Sequence, residues 1–243
     1  MDNKPFRKNN IKGFQKQSYL KSYYENEYKE AHLQSDLRRK NRLYFCFEKG
    51  IKDKRILNVG SGPGVDIEFL VNENEVHAID IVEETLQIAA SKGFIPHNID
   101  LNMGYLPFKK DYFDVIIATD ILEHLFQPKK LLCEIHRVLK KDGFAIVSVP
   151  NHFYWNMRIR ILTGKGIVLP FHNSNEWDYF HIRFFTLRSF KKLLNEIGFV
   201  IIEEFYDKFI NIPKGLPHFI DRWLARKFPT LFSMHFMVKV TKR

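Results

Sequence analysis

The sequence has few cysteines and no long apolar run. Its two cysteines, Cys46 and Cys133, lie in apolar helical patterns and form no CxxC motif. This spacing argues against a disulfide framework or a cysteine-bound metal, so we expect two reduced thiols and no metal site. No apolar run approaches the roughly 18 residues of a membrane-spanning helix, and the polar, basic N-terminus has no signal-peptide core. We therefore expect a cytoplasmic protein.

Acidic residues are outnumbered by basic ones. The chain has 38 Lys and Arg against 28 Asp and Glu, which gives a formal net charge of +10. This excess favours anionic partners such as phosphorylated molecules, nucleic acid or acidic membrane surfaces, and a solvated lysine-rich surface explains it equally well. The 243 residues, 45% of them hydrophobic, suffice for one α/β domain with a sizeable core.

One stretch, from Arg55 to Asp80, organises the rest of the chain. An apolar run at 56–59 predicts a buried parallel strand, and it leads into the glycine-rich turn GSGPG at 60–64. Apolar residues at 65–71 then allow a helix to begin. A second apolar run ends in Asp80, about 20 residues after the first glycine. Glycines let the backbone approach a ligand at such a turn, and a carboxylate at the next strand end can accept hydrogen bonds from ribose hydroxyls.

The turn reads G-x-G-x-G, whereas dinucleotide-binding proteins have G-x-G-x-x-G, and Val65 stands where their third glycine would be. This form resembles motif I of the class I S-adenosylmethionine-dependent methyltransferases, in which the loop passes under the methionine part of the cofactor. Members of that family usually have an acidic residue two positions before the first glycine. Asn58 occupies that position, where it can hydrogen-bond but supplies no charge.

The resemblance implies S-adenosylmethionine as cofactor and assigns roles by motif position. Asp80 would bind the ribose, Asp100 would face the adenine amino group, and the backbone of Leu101 would meet the adenine ring. For Asp100 alone, a helix or turn cap is the alternative. The cofactor-binding residues expected in this way are Asn58, Gly60, Ser61, Gly62, Gly64, Asp80, Ile81, Asp100, Leu101, Thr119 and Asp120.

Further motifs extend the resemblance to a large group of these enzymes that act on small molecules. Leu106-Pro107-Phe108 precedes a predicted strand at 115–118, which is followed by an LEHL motif at 122–125. An HIRFFT block at 181–186 leads into a predicted helix at 187–197, with Thr186 as its N-cap and Gly198 as its stop. The helix that follows the LEHL motif is expected to end at 140–143, before a fifth strand at 144–149.

The order of these elements predicts the fold. Strands alternate with helices as far as the fifth strand, and the last strand is reached without a helix-length crossover. We expect an α/β, Rossmann-like, seven-stranded, mostly parallel sheet with an antiparallel last strand and helices on both faces. The expected divisions are an N-terminal helical cap (1–50), a cofactor-binding core (51–151), a substrate-facing insertion without clean periodicity (152–184), and a C-terminal helix–strand part with a lid segment (185–243).

The lid segment, residues 217–232, admits two interpretations. Trp223 and Phe228 could pack inward over the strand ends and close the acceptor pocket. Alternatively, the segment could lie on an acidic membrane surface as a basic amphipathic helix. The interruption by Pro229 and the small number of lysines favour the lid.

Methyl transfer needs an acceptor that is held in line with the S–CH₃ bond, and an alcohol acceptor also needs a base. His124 and His181 are the candidate catalytic bases, although a loop-orienting role is as plausible for His124. Histidines, arginines and a tyrosine of the insertion could bind a phosphate-bearing acceptor through charge-assisted hydrogen bonds. The substrate-binding candidates are His152, Tyr154, Arg158, His172 and Arg183.

Several other functions lack their expected residues. The Asp/Asn-Pro-Pro-aromatic segment of nucleic-acid amino-methyltransferases is missing after the fourth strand, and no second carboxylate near Asn151 joins Asp120 in a magnesium site. We expect O-methylation, or less readily N-methylation, of a small phosphorylated or nucleotide-activated acceptor, in surface-polysaccharide synthesis. The alternatives are a quinone or lipid methyltransferase at the membrane surface, and a non-catalytic subunit that only binds the cofactor.

Overall fold

A computed structural model describes Leu43, Tyr44, Cys46, Phe47 and residues 50–166, 181–206 and 218–243. Seven strands form one sheet in the order β3-β2-β1-β4-β5-β7-β6. Strand β7 pairs antiparallel with both β5 and β6, and the pairs from β3 to β5 are parallel, so the predicted fold class is confirmed. The strands are β1 Arg55–Val59, β2 Glu75–Asp80, β3 Ile95–Asn98, β4 Phe113–Thr119, β5 Leu139–Pro150, β6 Phe199–Tyr206 and β7 His235–Lys242.

Helices follow or connect most of these strands. Within the described ranges, no helix has the length and apolar character that a membrane crossing requires. The α-helices are α1 Glu83–Ser91, α2 Pro128–Val138, α3 Trp155–Leu162, α4 Leu187–Ile197, α5 His218–Lys227 and α6 Pro229–Phe232, and short 3₁₀ helices lie at Glu68–Glu73, Leu101–Met103 and Leu122–His124.

The central strands are buried on both faces of the sheet. In β1, Leu57 belongs to one buried apolar cluster and Ile56 to the other, as expected when successive side chains point to opposite faces. Helices α2 and α4 cover the first face, while α1 and the apolar residues Leu43 and Phe47 cover the second. The loops at the carboxyl ends of the strands are thus held on a rigid platform, where ligands bind in open α/β sheets.

Helix α4 has the predicted bounds, and its ends explain why. The backbone N–H of Ser189 donates to Oγ1 of Thr186 at 3.1 Å, and the N–H of Thr186 donates to Oγ of Ser189 at 2.9 Å, which is a reciprocal capping box. At the other end, Gly198 has φ +103°, a left-handed conformation that stops the helix at little cost.

The helix expected after the glycine turn is replaced by the 3₁₀ helix Glu68–Glu73. Only a short segment joins Gly64 to Glu75, where β2 begins. A 3₁₀ helix rises about 2.0 Å per residue against about 1.5 Å for an α-helix, so it covers the return path across the sheet with fewer residues.

Two other boundaries differ from the sequence expectation. The insertion expected to lack periodicity contains α3. This helix shows no apolar periodicity, because Ile159 and Leu162 are exposed and Met157 is its buried residue. The helix expected to end at 140–143 ends at Val138, and strand β5 begins at Leu139. Residues 140–143 belong to the strand, because Leu139 already pairs with Phe113 and a register shift follows.

Other expectations concern the two ends of the chain. Most of the N-terminal cap, including the helices expected at 18–49, lies outside the described residues. In the lid segment, Ala225 is fully buried, whereas Trp223 and Phe228 are 53% and 49% exposed. The expected inward packing of these two aromatic rings is therefore wrong, and among the described side chains of α5 it is Ala225 that is buried.

Candidate active site

The glycine turn after β1 has the geometry of a ligand cradle. Gly60, Gly62 and Gly64 all have left-handed backbones, with φ of +69°, +50° and +71°. A Cβ on Gly60 would lie 2.8 Å from Cδ1 of Ile121, in the loop after β4. The left-handed backbone thus favours glycine at this position, and the loops after β1 and β4 are in direct contact.

Asp80 ties the turn to the end of the next strand. Its Oδ2 accepts a hydrogen bond from the backbone N–H of Gly62 at 2.8 Å, and its Oδ1 accepts one from Val82 at 3.0 Å. A carboxylate has about four acceptor sites, so the same group can both shape the loop and bind ribose hydroxyls. Ile81 follows directly, and its carbonyl accepts a hydrogen bond from the side chain of Asn98 at 3.1 Å.

Asn58 contacts a residue that sequence reasoning missed. Its Nδ2 donates to Oδ1 of Asp66 at 3.2 Å, and the two side chains are only 1% and 3% exposed. Asp66 therefore brings a carboxylate next to the position where the family usually has one. The sequence signal for Asp66 was an acidic residue within an apolar stretch just after the glycine turn, at a spacing that the motif does not include.

Ser61 is also buried, and its backbone N–H donates to the carbonyl of Ile79 at 2.9 Å.

The loop after β3 is shaped by Asp100. Its Oδ1 accepts from the backbone N–H of Asn102 at 2.9 Å, so the carboxylate caps the 3₁₀ helix Leu101–Met103. The alternative role as a turn cap is therefore present in the structure, and an adenine contact remains a prediction. The side chain of Leu101 is buried in the core.

The end of β4 carries a strained residue. Asp120 has φ +52°, a backbone conformation that is uncommon for residues other than glycine. Its backbone N–H donates to Oγ of Ser148 at 3.1 Å, and that hydroxyl donates to Oδ1 of Asp120 at 2.8 Å. This exchange with β5 holds the strained backbone just after the buried Thr119. Strain of this kind clusters at functional sites.

Three histidines distant in sequence meet at the carboxyl edge of β4 and β5. The rings of His124 and His181 are 4.7 Å apart between centroids, edge to face. Nδ1 of His181 and Nε2 of His152 are 2.7 Å apart, within hydrogen-bond distance. Two backbone bonds hold this arrangement, because the N–H groups of Ile182 and Arg183 donate to the carbonyl of Glu123 at 2.9 and 3.1 Å. The LEHL and HIRFFT motifs are thus two halves of one site.

Burial sets the protonation of the innermost groups. It lowers the pKa of His152 to about 4, with the nearby His235 adding to the effect, so His152 is neutral at pH 7. Burial also raises the pKa of Tyr154, which keeps its hydroxyl protonated. Neutral His152 can therefore accept the Nδ1 proton of His181.

Comparison with known families decides the assignment. Residues 29–204 match the model of a family described as a methyltransferase domain. The chain belongs to this methyltransferase family.

Two similar proteins illustrate the range of relatives, one of them uncharacterized and the other a methyltransferase. An uncharacterized protein of Methanocaldococcus jannaschii is 28% identical to the methyltransferase over 212 residues, 80% of each chain. The ubiquinone biosynthesis O-methyltransferase of Yersinia enterocolitica is 27% identical over 138 residues, which are 52% of this chain and 54% of that protein. The methyltransferase thus spans about half the length of this second relative.

A solved structure shows the same fold with the cofactor product bound. It is the 1,6-didemethyltoxoflavin-N1-methyltransferase of Burkholderia thailandensis, with 1,6-didemethyltoxoflavin and S-adenosylhomocysteine. The TM-score is 0.61 at 16% identity, over 99% of this chain and 93% of that one. Membership of the methyltransferase family confirms the expected cofactor, S-adenosylmethionine.

The predicted acceptor-binding arginines make contacts of another kind. Nε of Arg158 donates to the carbonyl of Phe153 at 2.6 Å, and Nη2 of Arg183 donates to the carbonyl of Phe126 at 2.6 Å. Both guanidinium groups thus hold backbone loops at the rim of the methyltransferase site. His172 lies outside the described residues.

Proposed function

We propose that the protein transfers a methyl group from S-adenosylmethionine to a hydroxyl oxygen of a small polar acceptor. One observation carries this proposal: the cluster of His124, His152 and His181 lies at the carboxyl edge of β4 and β5, one strand away from the glycine turn. A hydroxyl acceptor must lose its proton at or near transfer, and imidazole is the side chain best suited to accept it near neutral pH.

The residues divide the work in a simple way. The cofactor supplies an electrophilic methyl group on a sulfonium. The glycine turn and Asp80 bind the cofactor after β1 and β2, while His124 and His181 face the acceptor. Nδ1 of His181 lies 2.7 Å from Nε2 of His152, so we assign the other ring nitrogen of His181, Nε2, to the acceptor. The packing of Gly60 against Ile121 supports placing the two halves next to each other.

We propose a phosphorylated or nucleotide-activated acceptor, used in surface-polysaccharide synthesis. The net charge of +10 supports an anionic acceptor. Arg158 and Arg183 are exposed at the rim, and a guanidinium carries five N–H donors, so each can bind a phosphate as well as its backbone carbonyl.

A second candidate acceptor is the phenolic hydroxyl of a quinone precursor. Its support is the similarity to a ubiquinone biosynthesis O-methyltransferase, together with the exposed apolar side chains Ile159 and Leu162 on α3 and Phe184 beside His152. An aromatic acceptor with an apolar tail would contact such side chains.

An acceptor panel separates these alternatives. The purified protein is incubated with S-adenosylmethionine and either nucleotide-activated sugars and sugar phosphates or prenylated catechols, and S-adenosylhomocysteine release is measured. We expect turnover with a member of the first set. Turnover with the second set alone would reverse the choice of acceptor. Cofactor binding without turnover on any compound, in an assay validated with an active methyltransferase, would favour the non-catalytic partner subunit.

A matched variant tests the site itself. His181→Ala should lose most of the turnover on the accepted compound and keep its affinity for S-adenosylmethionine by calorimetry. His97→Ala, which removes a histidine on the distant edge strand β3, is the control and should keep both. Full activity of the His181 variant would contradict the proposed role of the cluster.

A further inference from the structure

We propose that Glu123, His124 and His181 bind one divalent transition-metal ion. One ligand atom from each of these side chains lies within 4.8 Å of the other two, a grouping found in the described part of the chain. Glu123 is 1% exposed and His124 is 12% exposed, so the site is enclosed on one side by the protein. No metal-ligand spacing is visible in the sequence, since His181 lies far along the chain from the other two residues.

The spacing of the ligand atoms suits an ion better than a hydrogen bond. Nε2 of His124 lies 3.9 Å from Oε1 of Glu123. Hydrogen bonds of this type have heavy-atom distances up to about 3.2 Å. Ligand atoms at roughly 2.0–2.2 Å from one tetrahedral zinc ion lie about 3.4 Å apart, so the side chains would move slightly closer together when the ion binds.

The surroundings of His181 resemble the outer shell of a metal site. A metal-binding histidine almost always donates its other ring N–H to a nearby acceptor, which fixes the tautomer and the ring orientation. His152 is placed for this role, since its Nε2 lies 2.7 Å from Nδ1 of His181. Nε2 of His181 is then the ligand atom.

The backbone holds the two parts of the site together before any ion binds. Two N–H groups next to His181 donate to the carbonyl of Glu123, and the 3₁₀ helix Leu122–His124 fixes the spacing of the other two ligands. Because the backbone is already held in this way, ion binding would require movement of the three side chains and no rearrangement of the backbone.

The donor set indicates the class of metal. Two imidazoles and one carboxylate suit zinc, iron, cobalt or manganese, whereas magnesium and calcium prefer oxygen ligands throughout. Three protein ligands leave a position open for a water molecule or an acceptor oxygen.

The ion would refine the proposed function, and only its chemical role rests on that function. An acceptor hydroxyl bound at the open position would have a lowered pKa and release its proton to water, as a zinc-bound water does. In that state His124 and His181 act as ligands and the ion takes over their part in activating the acceptor.

Metal binding can be tested without any acceptor. The full-length protein is stripped with EDTA, dialysed against Zn²⁺, and its metal content is measured by mass spectrometry. We expect about one zinc per chain, and His181→Ala and Glu123→Gln should both lose it. His97→Ala is the control and should retain it.

A second measurement keeps the test independent of folding. Co²⁺ replaces Zn²⁺, and its visible absorption reports the coordination. His152→Ala, which removes the hydrogen-bond partner of His181, should lower metal affinity by about 10–100-fold. The melting temperature of each variant is measured as well, to show that it is folded. Absence of bound zinc in the wild-type protein, or equal zinc in folded His181→Ala, would overturn the metal site. Failure of the wild-type protein to bind S-adenosylmethionine would instead overturn the proposed function.

Discussion

At the scale of single residues, Asp80 connects the glycine turn, the second strand and the cofactor. Asp80→Ala removes the acceptor for the N–H groups of Gly62 and Val82 as well as the expected ribose contacts. The cofactor contacts alone amount to two charge-assisted hydrogen bonds, or about 2–4 kcal/mol of binding free energy. Isothermal titration with S-adenosylmethionine measures the loss, and Glu84→Ala on the exposed face of α1 is the control. Unchanged affinity would rule out the ribose role.

The buried pair of Asn58 and Asp66 gives a second prediction at this scale. Asn58→Asp restores the residue type usual in the family, but it places two carboxylates where Nδ2 and Oδ1 are now 3.2 Å apart. A hydrogen bond to a charged group is lost and repulsion replaces it, so we expect a destabilisation of about 1.5–3 kcal/mol near pH 7.

The pH dependence of this variant follows from the repulsion, which raises the pKa of one carboxyl in the folded state. The destabilisation should therefore appear as the pH rises through that folded pKa and disappear at lower pH, where the shared proton is bound. Urea unfolding at several pH values provides the measurement. Wild-type stability of Asn58→Asp at neutral pH would show that the pair has relaxed apart.

His152 makes the stability of the wild-type protein depend on pH. Its pKa is about 4 in the folded protein and 6.5 is the ordinary value, so the unfolded chain binds the proton first as the pH falls. Stability should decrease between pH 6.5 and 4, by up to about 3 kcal/mol from this group. His152→Gln should flatten that part of the stability curve and leave the slope above pH 7 unchanged. The same slope in both proteins would show that His152 is accessible to protons in the folded state.

At the scale of elements, the capping box of α4 accounts for a boundary that the sequence predicted correctly. Thr186→Ala removes the acceptor for the N–H of Ser189 and should destabilise the protein by about 1 kcal/mol. Thr186→Ser keeps a hydroxyl at the same place and is the matched control. The midpoints of denaturant unfolding are measured for the wild-type protein and both variants. Equal midpoints for Thr186→Ala and Thr186→Ser would mean that the N-terminus of α4 is stabilised by other contacts.

The elements that differed from expectation share a physical reason. The 3₁₀ helix Glu68–Glu73 depends on the length of the path between β1 and β2, which local propensity does not contain. Helix α3 packs on the fold through few apolar residues, so its sequence lacks the periodic pattern that marks α2 and α4. Hydrophobic periodicity thus identifies helices that bury an apolar stripe and misses a helix that buries a single residue such as Met157.

At the scale of the whole molecule, cofactor binding should stabilise the fold. A ligand at 100 times its dissociation constant adds about 2.7 kcal/mol, which corresponds to roughly 5–11 °C in melting temperature for a chain of this size. Thermal unfolding with S-adenosylmethionine should show this increase. NAD⁺ is the control ligand and should give none, since the turn lacks the third glycine of dinucleotide-binding proteins. A shift with NAD⁺ alone would contradict the cofactor assignment.

The sequence by itself determined the sheet, the cofactor class and the main boundaries. The glycine turn followed by Asp80 at the end of the next strand is a local pattern, because both ends are set by backbone chemistry within one β-turn-β unit. Strand and helix order then limits the topology to few choices, and the seven-stranded sheet follows.

Only the tertiary structure decided how the site is assembled. His124, His152 and His181 come from three separate loops. In the sequence, none of them can be distinguished from an ordinary surface or core histidine. Their contact depends on β4 and β5 lying side by side and on the hydrogen bonds from Ile182 and Arg183 to Glu123. The pairing of Asn58 with Asp66 likewise depends on the path of the glycine turn, which returns the chain to the end of β1. Such contacts are set by packing between distant segments, and no single stretch of sequence contains them.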